Sequence, residues 1–134
     1  MRLFFFGTLI DADVRQAVVG RPLPVETATA AGFVRVFIAG RTYPMLLPKA
    51  TGRVGGVLTP PLEDAALRRL NAYEGPEYRL RPITVETATG TVTAHAYFCR
   101  HGVAAGRREW RFEDWLRREK RSWVPRIVAR MRRC

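Results

Sequence analysis

The sequence predicts an α+β fold in which short strands form a compact, mixed, partly closed sheet flanked by helices. Two observations favour this fold class. Short runs of β-branched and aromatic residues, bounded by glycine and proline, recur along the first hundred residues and are typical of strands. Only two helical stretches interrupt these runs, whereas a doubly wound parallel sheet needs strands and helices that alternate throughout. The chain has 134 residues, 47% of them hydrophobic, so we expect one globular unit with a single core.

The N-terminal segment predicts a strand, a turn and a short helix. The strand is the apolar run Arg2–Phe6, which ends at Gly7. The helix is Asp11–Val19, because Asp11 can cap its first turn and Gly20 can end it.

Five further apolar runs follow the pattern of strands. They are Ala28–Ile38, Tyr43–Pro48, Arg53–Thr59, Tyr78–Glu86 and Thr91–Phe98. We expect a kink near Gly32 and a bulge or close backbone approach at Gly55-Gly56, since glycine inside a strand marks such places.

The clearest helix begins near Pro60-Pro61, where a missing backbone N–H has no cost, and ends at Gly75-Pro76. Four apolar residues at helical spacing define its buried face. They are Leu62, Ala66, Leu70 and Tyr73.

The C-terminal segment, 107–134, predicts two short basic helices that pack on the rest of the chain. Pro125 should separate them and place Trp123-Val124 in extended geometry. The segment holds 11 basic and 4 acidic residues, against a net charge of +11 for the whole chain. Such a patch could attract nucleic acid, but its regular apolar spacing favours packing over that function.

Several classes of protein are disfavoured by composition. No apolar run approaches the ~18 residues that span a bilayer, and the N-terminus lacks a secretory pattern, so we expect no membrane partner and a cytoplasmic protein. Cys99 and Cys134 cannot form a disulfide framework. His95 and Cys99 alternate along a predicted strand, and with His101 as the only other histidine we expect no metal site.

The first candidate functional feature is the turn Phe6-Gly7-Thr8-Leu9, directly after a buried strand. Successive backbone N–H groups that leave a strand just before a helix can form a concavity for a carboxylate. A turn with no ligand is the commoner explanation of such a pattern taken alone.

The second feature is Glu74, which lies at the predicted end of an amphipathic helix beside Gly75-Pro76. A carboxylate there faces the negative end of the helix dipole, and partial burial would raise its pKa toward the range of a general base. Position alone leaves an equal alternative, in which Glu74 is solvated and Glu77 pairs with Arg79 or Arg81.

Taken together, these segments resemble the gamma-glutamylcyclotransferase-like superfamily in order and spacing. The resemblance covers roughly residues 3 to 98 and rests on FFFGTLIDADV, RTYPMLLP, GRVGGVLT, LRRLNAYEGPEYRLRPITV and HAYF. It implies a compact mixed β-barrel with flanking helices over residues 1–106, followed by the basic helical extension 107–134. Three residues depart from the family pattern: Phe6 replaces a tyrosine, Asn71 an aspartate, and Met45 a glycine.

The resemblance also implies a reaction, which needs no cofactor: a γ-glutamyl amino acid or amine cyclises to 5-oxoproline and releases the amino acid or amine. By the same resemblance Glu74 is the catalytic acid and base. The substrate-binding residues it implies are Phe6, Gly7, Thr8, Leu9, Tyr43 and Tyr78. The sequence leaves open the choice of γ-glutamyl compound and the oligomeric state.

Two other hypotheses stay open at this stage. In one, a non-catalytic relative keeps the pocket in order to bind a small carboxylate or to serve as an interaction module. In the other, the basic residues of the C-terminal segment bind nucleic acid or another acidic partner.

Overall fold

The computed structural model describes residues 1–133; Cys134, the end of the predicted extension, lies outside the described residues. The strands are β1 (Phe4–Phe5), β2 (Glu26–Ile38), β3 (Pro44–Leu58), β4 (Tyr78–Thr87), β5 (Gly90–Cys99) and β6 (Ala105–Glu109). The helices are α1 (Ala12–Val19), α2 (Asp64–Glu74), α3 (Phe112–Arg118) and α4 (Lys120–Met131), and a 3-10 turn spans Thr8–Ile10.

The sheet is partly closed, as predicted. Its strands lie in the order β1-β3-β2-β4-β5, the neighbouring pairs are antiparallel, and β6 pairs with β2. The two ends of this order approach each other, because Leu3 and His95 form a parallel bridge and the His95 N–H donates to the Arg2 carbonyl at 2.9 Å. The α+β fold class with a partly closed barrel is therefore confirmed, although the sequence did not predict β6.

The predicted kink in β2 is present at Gly32. This residue has a φ of +88°, and the register against β3 shifts between Ala31 and Phe33. On β3 the shift leaves a bulge between Pro48 and Arg53. The segments Tyr43–Pro48 and Arg53–Thr59, predicted as separate strands, therefore form one strand, and the predicted end of a strand at Pro48 was wrong. Proline is tolerated there because a strand residue beside a bulge need not donate a ladder hydrogen bond.

The predicted close approach in β3 is present at Gly56. A Cβ on this residue would lie 2.2 Å from the Phe5 carbonyl oxygen, so β1 can pair with β3 only if no side chain stands there. This contact places the end of β1, and the turn after it, at one end of the barrel.

Helices α1 and α2 follow the sequence expectations closely. The Asp11 carboxylate accepts hydrogen bonds from the N–H groups of Asp13 and Val14, both at 3.1 Å, and so caps α1. All four residues of the predicted apolar face of the second helix are buried. However, α2 itself begins at Asp64, since the preceding segment is extended and the Leu62 N–H donates to the Met1 carbonyl.

The C-terminal helices differ from the prediction in where they are separated. The break falls at Glu119, and Pro125 lies inside α4, so Trp123 and Val124 are helical and the predicted extended geometry was wrong. Proline removes one helical hydrogen bond. Ile127 and Met131 are nevertheless buried in the same core as Leu3, and this packing holds the helix together across the proline.

The division of the chain into 1–106 and 107–134 stays a prediction. Strand β6 spans this position, and Trp115 of α3 also belongs to the core that holds Leu3. Within residues 1–133, no helix combines the length and the apolar character required to cross a bilayer.

Candidate functional site

A cavity of about 870 Å³ opens between the turn after β1, the C-terminal end of α2 and one face of α4. Every residue that the sequence singled out as catalytic or substrate-binding lines it. These residues are Phe6, Gly7, Thr8, Leu9, Tyr43, Glu74 and Tyr78. The cavity thus brings together Phe6 and Tyr78, which are 72 positions apart in the chain.

The turn presents unpaired backbone N–H groups. Its 3-10 geometry is closed by hydrogen bonds from Ile10 to the Gly7 carbonyl and from Asp11 to the Thr8 carbonyl. Within residues 1–133 the N–H groups of Thr8 and Leu9 have no acceptor, which is expected at the start of a 3-10 turn. Gly7 also fits tightly, since a Cβ there would lie 3.1 Å from Pro44 Cγ.

Two arginines hold the carbonyl groups of this segment. Arg35 Nη1 donates to the Phe6 carbonyl at 2.8 Å, and Arg15 Nη1 donates to the carbonyls of Leu9 and Ile10 at 3.2 and 2.6 Å. Burial lowers the pKa of both guanidinium groups, although neighbouring carboxylates oppose the shift. With these carbonyls already bonded, the groups of the turn that stay available to a ligand are the N–H donors.

Glu74 is the last residue of α2, where Gly75 ends the helix with a φ of +75°. The side chain is half-buried and lines the cavity, and within residues 1–133 nothing forms a hydrogen bond or ion pair with its carboxylate. Burial raises the pKa of Glu74 to about 8, while the charge of Arg130 acts in the opposite direction. A carboxyl group of this kind can exchange a proton near neutral pH.

Tyr73 links the three walls of the cavity. Its hydroxyl shares a hydrogen bond of 2.6 Å with Thr8 Oγ1 and accepts another, at 3.0 Å, from Trp123 Nε1. Burial is the main cause that raises the pKa of Tyr73, so the phenol stays neutral. The turn, α2 and α4 are therefore held in one arrangement around Glu74.

The two other predicted tyrosines have their hydroxyl groups engaged by the protein. Tyr78 Oη donates to the Pro44 carbonyl at 2.7 Å. Tyr43 Oη donates to Glu77 Oε1 at 2.7 Å and accepts from Arg41 Nε at 3.1 Å. The alternative in which Glu77 pairs with Arg79 or Arg81 was therefore wrong, because its partners are Tyr43 and Arg41.

The three side chains that depart from the family pattern are hydrogen-bonded or buried in the structure. Asn71 Oδ1 accepts a hydrogen bond of 2.7 Å from the Tyr97 hydroxyl. Phe6 and Met45 are both 6% exposed and belong to the two apolar cores. Each substituted side chain is thus integrated in the fold.

Comparisons with known proteins agree with this geometry. The family model described as "Gamma-glutamyl cyclotransferase, AIG2-like" matches residues 3–117. The chain belongs to this family. AIG2-like protein C of Arabidopsis thaliana is 28% identical over 125 residues, which cover 91% of this chain and 73% of the relative.

Solved structures show the same fold. A solution structure of an Arabidopsis thaliana protein is 26% identical, has a TM-score of 0.71, and covers 98% of this chain and 90% of its own. A γ-glutamyl cyclotransferase structure has a TM-score of 0.66 over 78% of this chain and 68% of its own, and at 16% identity this likeness concerns the fold alone. Family and fold together support a cyclotransferase-type function in general.

The match to the family model ends before α4. This helix forms one wall of the cavity, which the sequence analysis did not predict. Residues of α4 and its N-cap that line the cavity recur at the spacing of one helix face. They are Glu119, Trp123, Arg126, Ile127 and Arg130. This spacing is readable in the sequence, but the expectation that Pro125 would separate the helices divided the face in two.

The histidine, cysteine and acidic side chains were compared with the ligand sets that bind metal ions. Within residues 1–133 no group of three or more histidine, cysteine, aspartate or glutamate side chains could hold a metal ion. Cys99 is half-buried on β5, and burial is the main cause that raises the pKa of its thiol to about 12. The thiol is therefore protonated at neutral pH and is a poor nucleophile.

Proposed function

We propose that the chain cyclises a γ-glutamyl amino acid or γ-glutamylamine to 5-oxoproline and releases the amino acid or amine, with Glu74 as general acid and base and without a cofactor. One observation carries the proposal: the Glu74 carboxylate, without a hydrogen-bond partner in residues 1–133, lines the same cavity as the turn Gly7–Leu9. The cavity volume of about 870 Å³ is within the range of small-molecule sites.

The pKa of Glu74 matches the task of the first step. The α-amino group of a γ-glutamyl compound is protonated at neutral pH, and the free α-carboxylate beside it keeps its pKa above the value of about 8 that a chain-terminal amine has. Burial raises the pKa of Glu74 to about 8, which brings it closer to the pKa of this amine and lowers the energetic cost of the proton transfer. An ordinary glutamate, ionised but weakly basic, would remove this proton far less readily.

The reaction can then be written as a balanced sequence. The Glu74 carboxylate takes a proton from the α-ammonium group, and the free amine attacks the γ-carbonyl carbon to form the ring. Glu74 gives this proton to the leaving nitrogen, and the bond between that nitrogen and the γ-carbon breaks as the γ-carbonyl forms again. The ring nitrogen then loses its second proton, which the released amine takes up, so 5-oxoproline and the ammonium form of the amine or amino acid result. Proximity favours this ring closure because the two reacting groups belong to one molecule.

The turn supplies a place for the other end of the γ-glutamyl group. The free N–H groups of Thr8 and Leu9 are donors of the kind that bind carboxylates, and the substrate carries an α-carboxylate next to its reacting amine. The hydrogen bond between Thr8 and Tyr73 ties this turn to the residue before Glu74. In this arrangement the carboxylate lies against the turn and the amine faces Glu74.

The test is formation of 5-oxoproline from a panel of γ-glutamyl dipeptides and γ-glutamylamines, with wild type compared with Glu74→Gln. We expect the variant to lose about 100-fold or more of the rate, since general acid–base groups contribute roughly 10²–10⁴. Glu63→Gln is the matched control, because Glu63 lies at the opposite end of α2 and its carboxylate forms only a surface ion pair with Arg21.

Equal rates for wild type and Glu74→Gln, with Glu63→Gln also unchanged, would contradict the assignment of Glu74. Thermal melting of each variant shows that it is folded. Binding of the panel compounds with no 5-oxoproline formed by wild type would instead identify a non-catalytic module that binds small carboxylates.

A further inference from the structure

The wall formed by α4 and its N-cap carries three charged side chains, Glu119, Arg126 and Arg130. Among residues 1–133 three arginines line the cavity, and two of them are committed to other groups of the protein. Arg41 Nε donates to Tyr43 Oη at 3.1 Å and lies 3.9 Å from Glu77 Oε2. Arg130 Nη2 donates to the carbonyls of Tyr73 and Ala72 at the end of α2.

Arg126 is the third of these arginines, and its terminal nitrogens have no acceptor within residues 1–133. Its Nε donates to the Ser122 carbonyl at 3.2 Å, and its guanidinium lies 5.3 Å from the centre of the Trp123 ring. These two contacts orient the guanidinium although the side chain is exposed. An oriented guanidinium with free Nη1 and Nη2 matches the two oxygens of a carboxylate.

The proposed reaction determines which part of a substrate would meet Arg126. If the turn and Glu74 hold the α-carboxylate and α-amine of the γ-glutamyl group, the leaving group must occupy the remaining space, and α4 lines that space. We infer that Arg126 binds a carboxylate on the leaving group, so that γ-glutamyl amino acids and peptides are preferred to γ-glutamylamines. This inference rests on the proposed cyclotransferase function.

Glu119 gives the opposite charge on the same face of the cavity. It lies two helical turns before Arg126 and is half-buried, and no cation forms an ion pair with it within residues 1–133. A leaving group with a distal ammonium would be attracted to Glu119 and repelled by Arg126 and Arg130. A preference for an anionic leaving group would therefore indicate that Arg126 acts on the substrate, and a preference for a cationic one would indicate Glu119.

The experiment compares three substrates of the full chain that differ in the charge of the leaving group. They are γ-glutamylalanine, γ-glutamylalaninamide and γ-glutamyl-1,4-diaminobutane, which are anionic, neutral and cationic at that end. We expect kcat/KM for 5-oxoproline formation to be about tenfold higher for the anionic substrate than for the neutral one, since Arg126 is exposed and a charged hydrogen bond there is partly screened. The cationic substrate should be the poorest.

Variants assign the preference to one residue. Arg126→Gln should lower kcat/KM for γ-glutamylalanine about tenfold and leave γ-glutamylalaninamide nearly unchanged. Arg126→Lys should retain part of the preference, because it keeps the charge but not the two-pronged geometry. Arg121→Gln is the matched control, since Arg121 is an exposed arginine of the same helix that does not line the cavity.

Three results on turnover would overturn the inference: no preference for the anionic substrate, preference for the cationic one, or equal losses on both alanine compounds in Arg126→Gln. Ligand binding to Glu74→Gln, which should not turn the compounds over, tests the role of Arg126 separately from the proposed catalytic function. In Glu74→Gln, γ-glutamylalanine should bind about tenfold more tightly than its amide, and adding Arg126→Gln should remove that difference. Equal or undetectable binding of the two compounds by Glu74→Gln would also overturn the inference, whether or not wild type forms 5-oxoproline.

Discussion

The turn wall of the cavity, formed by residues 6–9 and the end of α2, and the α4 wall present different chemistry to a ligand. The turn wall offers backbone N–H groups and one carboxyl group whose pKa is raised to about 8. The α4 wall offers an indole ring and charged side chains at helical spacing. In the proposed reaction the γ-glutamyl group is the same in every substrate, and fixed backbone donors are suited to bind it. The amine or amino acid that is released differs between substrates, and side chains on a helix face are suited to select among such groups.

The two walls are also held by different forces. The turn is fixed by hydrogen bonds to its carbonyl groups from the buried arginine Arg15 and the partly buried Arg35. Helix α4 is fixed by apolar packing of Ile127 and Met131, by the hydrogen bond from Trp123 to Tyr73, and by ion pairs at its N-terminus. The two walls are joined through Tyr73, so a substitution that leaves the Tyr73 hydrogen bonds intact should act mainly on the wall in which it lies.

The largest expected effect on stability comes from the α4 anchor. Ile127→Ala should lower the free energy of unfolding by about 2–5 kcal/mol, because it removes a side chain that is only 6% exposed and leaves a cavity in the core. Chemical denaturation measures this change. Leu116→Ala in α3 is the control, since Leu116 is 36% exposed and should cost clearly less. Equal losses in the two variants would mean that α4 is not anchored through Ile127.

A smaller effect, on activity, is expected from the turn wall. Thr8→Pro removes one backbone N–H donor at the first position of the 3-10 turn. The usual φ of 3-10 geometry is close to the φ that proline requires. Thr8→Val removes the hydroxyl and keeps the N–H. Relative to Thr8→Val, Thr8→Pro should lower kcat/KM for 5-oxoproline formation roughly 10–100-fold, the contribution of a charged hydrogen bond. If the two variants are equally active, the N–H group of Thr8 does not bind the substrate.

The smallest effect is expected at the ion pairs that join α4 to α1. Lys120 Nζ lies 2.8 Å from Asp11 Oδ1 and 2.9 Å from Asp13 Oδ2, and these hydrogen bonds raise the pKa of Lys120. Lys120→Gln should lower the free energy of unfolding by about 0.2–1 kcal/mol, because the amine is near the surface.

The direction of the Lys120 pKa shift determines how the stabilisation by the Lys120 ion pairs depends on pH. This stabilisation is fully present below the ordinary lysine pKa and is lost as the pH rises through the raised pKa of Lys120. Urea titrations at neutral pH in low and high salt provide the check, since the difference between wild type and Lys120→Gln should shrink in high salt. A difference that does not depend on salt would contradict an electrostatic origin.

Much of the fold before α4, and Glu74 of the turn wall, could be predicted because the signals are local. Asp11 precedes a helix that it caps, and Gly32 and Gly56 lie where the backbone needs a positive φ or a close contact. Glu74 became a candidate because a helix stop follows it directly, and the family resemblance then predicted its catalytic role. Its raised pKa has burial as its main cause, and that burial depends on parts of the chain far away in sequence.

The parts that were not predicted depend on tertiary packing. Pro125 is a local signal against helix, yet the burial of Ile127 and Met131 maintains α4 across it. Strand β6 has an exposed, arginine-rich sequence with no strand pattern, and it forms because β2 offers backbone groups to pair with. The role of α4 as a cavity wall was missed for the same reason, since the sequence does not show what a helix face packs against.

The proposed reaction requires the Glu74 carboxyl group to act as a base near neutral pH. Its titration can be followed by the ¹³C chemical shift of its side-chain carboxyl carbon in the intact chain, with Glu74→Gln used to assign the signal. We expect a midpoint near pH 8, with the neutral acid as the main form at lower pH. A midpoint close to the ordinary glutamate value of about 4.3 would contradict it.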